Sequence, residues 1–148
     1  LSRILQAFSP ADEKCAGTAA APLDSSNPTA QRIEHLKPQL ESILNEAGDR
    51  LEVVPAAKGT YVFIGNPKKK FGIAWIDGEK VNNFRTLVEE RGVSPVRLER
   101  LSNELREAYR RSADEPRYAA TVGSGTVVVT PSEKLGAEVE HVIREISG

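Results

Sequence analysis

Residues 60–76 read TYVFIGNPKKKFGIAWI, and this stretch decides the fold. Two runs, Thr60–Ile64 and Phe71–Ile76, are dense in aromatic and β-branched residues, which fit a pleated, half-buried surface. Between them, Gly65-Asn66-Pro67-Lys68-Lys69-Lys70 breaks the pattern and is long enough to return the chain as an antiparallel hairpin. Side chains alternate along a strand, so Phe71, Ile73 and Trp75 share one face, with Tyr61 and Phe63 as a matching pair on the neighbour. Asp77-Gly78 ends this sheet run.

Upstream, Leu51–Val54 reads as a third, shorter strand. Before it, Asn27 caps a helix with Pro28 at its first position. Ile33, Leu36, Leu40, Ile43, Leu44 and Ala47 then recur on one helical face, and Gly48 stops the run. Pro38 falls inside that pattern and should kink the helix or divide it in two.

Downstream, Asn82–Arg91 carries Phe84, Leu87 and Val88 and ends at Gly92. Ser94-Pro95 opens a second helix whose buried stripe is Leu98, Leu101, Leu105 and Tyr109. Arg117–Val122 and Thr126–Thr130 are strands around the tight Gly123-Ser124-Gly125 turn. Thr130-Pro131-Ser132-Glu133 matches a capping box. The last helix lines up Leu135, Val139, Val142, Ile143 and Ile146.

The expected order is therefore α-β-β-β-α-α-β-β-α. It predicts an α+β two-layer sandwich, a mostly antiparallel five-stranded sheet with helices on one face. Residues 28–148 form this single domain. Residues 1–27 read as a short amphipathic helix plus a disordered linker. Leu1, Ile4, Leu5 and Phe8 give the helix one apolar stripe, too short to be stable alone in water. Residues 9–27 hold little that could be buried to offset the entropy of ordering them.

The chain has 148 residues, with 20 Lys+Arg against 21 Asp+Glu. That balance argues against binding nucleic acid by bulk charge. A single cysteine excludes a disulfide framework or a cysteine-rich zinc site. No apolar run reaches the roughly 20 residues that span a bilayer, and no retained signal peptide is expected. A cytoplasmic location with Cys15 reduced follows as the expectation.

The residues offer little for catalysis. His35 and His141 sit opposite their helices' apolar stripes, without metal-ligand spacing. Cys15 lies in the linker, where nothing rigid holds a base beside it. No serine lies in a nucleophile elbow, and Gly123-Ser124-Gly125 precedes a strand rather than a phosphate-binding helix. The pairs Glu89-Glu90, Glu104/Glu107 and Glu138/Glu140 read as solvated charge. No metal, cofactor or catalytic residue is assigned.

Two features could recognise a partner. Lys68, Lys69 and Lys70 at a hairpin tip suit an acidic group, or simply discourage edge pairing. Tyr61, Phe63, Phe71 and Trp75 are core if they face the helices, and an exposed docking surface if they face away. With Leu1, Ile4, Leu5 and Phe8 they are the candidate partner-binding residues. The element order across residues 28–147 is similar to the α-β-β-β-α-β-β-α arrangement of the type III secretion chaperone family. That resemblance implies a dimeric, non-enzymatic protein holding an extended segment of a partner. The leading expectation is thus an interaction or assembly module that binds another protein or a second copy of itself. A small-ligand domain with a pocket between sheet and helices, and an enzyme with an unidentified site, are the alternatives.

Overall fold

The computed structural model describes residues 21–123 and 125–147. The predicted helix with Leu1, Ile4, Leu5 and Phe8, and Cys15, lie outside the described residues. The elements are β1 (Ala21–Pro22), α1 (Pro28–His35), α2 (Lys37–Ala47), β2 (Leu51–Pro55), β3 (Thr60–Gly65), β4 (Phe71–Asp77), β5 (Lys80–Asn83), α3 (Phe84–Arg91), α4 (Pro95–Arg111), β6 (Tyr118–Val122), β7 (Gly125–Val129) and α5 (Glu133–Ser147). The fold is α+β, and one sheet runs through it in the order β1-β6-β7-β2-β3-β4-β5.

The hairpin that decides the fold forms as expected. Tyr61 pairs with Trp75 and Phe63 with Ile73 across β3 and β4, and all four side chains enter one core cluster. Other features of the sheet differ from expectation. It has seven strands and is mixed, because β2 runs parallel to β7 and β1 parallel to β6. Asp77-Gly78 does not end the sheet. Gly78, at φ 66°, supplies the positive dihedral of a tight turn, and Asp77 then pairs with Lys80 in β5. Strand β5 is short and mostly polar, so hydrophobic periodicity does not reveal it. Strand β1 has two residues, and Leu23 N–H donates to Ala119 C=O at 2.8 Å, so residues read as linker are already part of the domain.

Helices cover both faces, which replaces the expected two layers with three. Val54, Tyr61, Phe63, Ile73 and Trp75 meet Leu87 of α3, Leu101 and Leu105 of α4, and Leu135 and Val139 of α5. The alternate residues Leu51, Val53, Val62, Ala74 and Ile76 meet Ile33, Leu36, Leu40 and Ile43 of α1 and α2. Strands buried on both sides are apolar nearly throughout, as β2 and β3 are.

The helix ends follow from local chemistry. Asn27 Oδ1 accepts from Thr29 N–H at 2.9 Å, capping α1. The first helix divides at Leu36, which puts Pro38 in the first turn of α2, where a missing N–H costs nothing. The cap of α5 is Ser132, whose Oγ accepts from Leu135 N–H at 3.1 Å, and not Thr130. Thr130 is committed elsewhere: its hydroxyl donates to Glu52 at 2.8 Å.

Glu52 sits in the apolar strand β2 and has no exposed surface. Its carboxylate accepts from Tyr109 Oη (2.8 Å) and Arg50 (3.2 Å) on one oxygen, and from Thr130 Oγ1 (2.8 Å) and Arg117 Nε (3.1 Å) on the other. Arg117 also donates to the Ser112 carbonyl and hydroxyl, each at 2.8 Å, and its guanidinium lies 4.8 Å from the Tyr109 ring centre. The two arginines should therefore differ in weight. Arg117, 20% exposed, is the buried partner; Arg50 is 44% exposed. Arg117→Met is expected to lower stability in urea unfolding by about 3–5 kcal/mol, the range for breaking a buried pair. Arg50→Met should lower it by roughly 0–1 kcal/mol. Equal losses would show that the carboxylate does not depend on Arg117.

Candidate functional site

The parallel neighbours β2 and β7 end on the same side of the sheet, and their chains then diverge. From β2 the chain turns tightly through Ala56–Gly59 into β3, closed by Ala56 N–H to Gly59 C=O at 2.9 Å. From β7 it passes Pro131 and enters α5. Such a divergence at the carboxyl ends of parallel strands leaves a crevice. Here the first turn of α1 forms its far wall, and the open groove measures about 690 Å³.

Three contacts set its shape. Gly136 of α5 lies so close to β2 that a Cβ would stand 2.2 Å from the Pro55 carbonyl oxygen, so only glycine allows the helix to approach. Arg32 of α1 donates to the Ala56 carbonyl at 2.7 Å and pins the turn from the other side. Glu140 of α5 accepts from Lys58 N–H at 3.1 Å and from Tyr61 Oη at 3.3 Å. Burial first, and then Glu140, push the Tyr61 hydroxyl above its ordinary pKa of 10.0.

The groove surface mixes Pro28, Pro55, Ala57 and Ala137 with the carboxylates Glu133 and Glu140. Arg32 keeps its charge while bonding the turn, so the groove sets two carboxylates against one guanidinium held at its wall. Its serine is held structurally: Ser132 caps α5 and also bonds Glu115. Among the described residues no histidine lines the groove. Among the described residues no group of three or more His, Cys, Asp or Glu could hold a metal ion, and no helix is long and apolar enough to cross a membrane.

The residues singled out from sequence lie elsewhere. Tyr61, Phe63 and Trp75 are 2%, 0% and 9% exposed, so the sheet presents no open aromatic platform to a partner. The helices α3, α4 and α5 cover them. Phe71 is half-buried against the same core, and the Arg106 guanidinium lies 5.6 Å from its ring centre. Lys68, Lys69 and Lys70 are exposed at the far end of β3 from the groove, with the Lys69 carbonyl accepting from Arg106 at 2.8 Å. His35 and His141 are exposed, on separate helices. Glu140, read as solvated charge, is half-buried and bonded to the sheet. Sequence reading missed the groove residues because they come from three separated segments. Glu52 did carry a signal, a lone charge within an apolar strand. No protein-family model, curated protein or solved structure matches the chain.

Two outcomes check this geometry. Gly136→Ala would normally favour a helix by roughly 1 kcal/mol. Here the clash with Pro55 should prevail, giving a net loss of about 1–3 kcal/mol in thermal or urea unfolding. An increase in stability would refute the close approach. Tyr61 keeps its proton in the folded chain while an unfolded tyrosine ionises, so its contribution is complete below pH 10 and is lost as pH rises beyond. Tyr61→Phe should therefore flatten the alkaline fall in stability by up to about 1 kcal/mol per pH unit above pH 10. Parallel curves for the two proteins would contradict a buried neutral phenol.

Proposed function

We propose that this chain is a non-enzymatic binding domain for a small ligand, held in the groove at the carboxyl ends of β2 and β7. The supporting observation is the groove itself: its volume of about 690 Å³ lies within the range of small-molecule sites, and the first turn of α1, the end of β2 and helix α5 wall it, leaving it open to solvent for a ligand to enter. The proline and alanine surfaces suit an apolar body. Glu133 and Glu140 suit a hydrogen-bond donor or an amine on that body.

A protein partner is the second reading. One observation favours it. Val96 of α4 is 76% exposed beside a hollow of about 590 Å³ that Val142 of α5 also lines. With the sheet covered, a helix surface of this kind is what remains for such a contact.

Thermal-shift measurements with a panel of primary amines and neutral heterocycles, together with native mass spectrometry of the purified protein, test the first reading. At least one compound should give a saturable rise in melting temperature. Ala137→Arg fills the groove from an exposed position and should abolish that rise without changing the unliganded melting point. Silence in both measurements would overturn the small-ligand reading. Silence combined with equal capture of a protein by wild type and variant is what the second reading expects.

A further inference from the structure

On the other side of the Ala56–Gly59 turn, the sheet and helices α3 and α5 enclose a second, smaller cleft of about 250 Å³. Tyr61 and Trp75 form its inner wall, and Lys58, Lys80, Arg91 and Arg144 stand around it with Asp77 as the one carboxylate among its lining residues. Four cations at one small concavity are notable in a chain whose formal net charge is −1. Such a cluster raises the local potential and concentrates anions.

Arg91 is engaged with a partner of its own and Asp77 stands in the lining, so the charge available to a ligand rests on Lys58, Lys80 and Arg144. Lys80 pairs with Glu90 at 3.2 Å, but both side chains are more than half exposed, at 62% and 54%, so a ligand can displace that pair at little cost. Glu140 approaches from the groove side, and its bonds go to Tyr61 Oη and the Lys58 backbone N–H rather than to the cationic side chains.

We infer that this cleft binds a compact dianion of the phosphate or phosphate-monoester class, a site separate from the groove proposed above. Its volume of about 250 Å³ has room for such a group with some of its hydration water or a small organic substituent. A polynucleotide does not fit within it, and the aromatic wall excludes water from one side of the anion and so strengthens the cationic contacts. Lysine and arginine donors are the usual partners of a phosphate oxygen.

Trp75 is the only tryptophan in the chain, so its fluorescence reports on this wall alone. Titration of the full chain with inorganic phosphate, against sodium chloride at matched ionic strength, should give a saturable change in emission with phosphate only. Glycerol phosphate in a second titration distinguishes a phosphate monoester from the free ion. Lys58 and Arg144 are exposed, and Lys58→Gln with Arg144→Gln should weaken the response by about tenfold or more while leaving the melting temperature unchanged. Replacing Lys68, Lys69 and Lys70 by glutamine should leave it intact, as should Ala137→Arg, which separates this site from the groove. No saturable phosphate response by fluorescence and by calorimetry, an equal response to chloride, or equal weakening by the hairpin-tip variant would each overturn the inference.

Discussion

A carboxylate without solvent access has to be answered by the protein itself, and Glu52 places that demand in the centre of the sheet. Its partners come from helix α4 (Tyr109), from the residue that leads into β6 (Arg117) and from the residue that follows β7 (Thr130). Hydrophobic burial would accept several arrangements of these pieces; the hydrogen bonds accept one. A slip of one residue between β2 and β7 would turn Glu52 or its partners to the opposite face, into the aliphatic layer of Leu51 and Val53. The cost of such an orphaned charge exceeds what a single apolar contact returns. The net stabilisation from such a network is small, and its effect is to fix registry. The β2–β7 registry in turn sets Val129, the last residue of β7, opposite Val53, so β2 runs on to Pro55 alone and the two chains diverge around the groove.

The distribution of hydrophobic side chains explains how three layers form from so short a chain. Every second residue of β3 serves a different core: Tyr61 and Phe63 face α4 and α5, while Val62 faces α1 and α2. The fully packed aromatics Tyr61, Phe63, Trp75 and Tyr109 all fall on one side, with Phe63 making edge contacts to both Phe71 and Tyr109 at 5.5 Å between ring centres. The other side is filled by valine, leucine and isoleucine. The two faces thus differ in thickness of packing: the aromatic face supports three helices, and the aliphatic face accepts the divided pair α1 and α2.

Much of this was legible in the sequence where the signal is local. The β3–β4 hairpin, the stop at Gly48, the proline at the start of α2 and the stripes of α4 and α5 all follow from residues within one element. The double coverage is written there too, since Val62, Ala74 and Ile76 are apolar at the positions an exposed face would make polar, although the aromatic alternation on the same strands is the stronger signal. Strand β5 was announced only by Asp77-Gly78, because Lys80, Asn82 and Asn83 carry no hydrophobic pattern. The groove was not legible at all. Asn27 and Arg32, Pro55 and Ala57, and Ser132, Ala137 and Glu140 meet only when β7 docks beside β2, a long-range pairing that no local spacing encodes.

The Ala56–Gly59 turn is where these constraints meet. It is held from one side by Arg32 and from the other by Glu140, so opposite charges from two helices in different layers grip the same four residues. Gly59 has the Ile76 carbonyl 3.3 Å from where a Cβ would lie, which keeps the turn pressed against β4. One rigid loop therefore separates an anionic groove from a cationic cleft, with the Tyr61 hydroxyl bonded across the divide to Glu140.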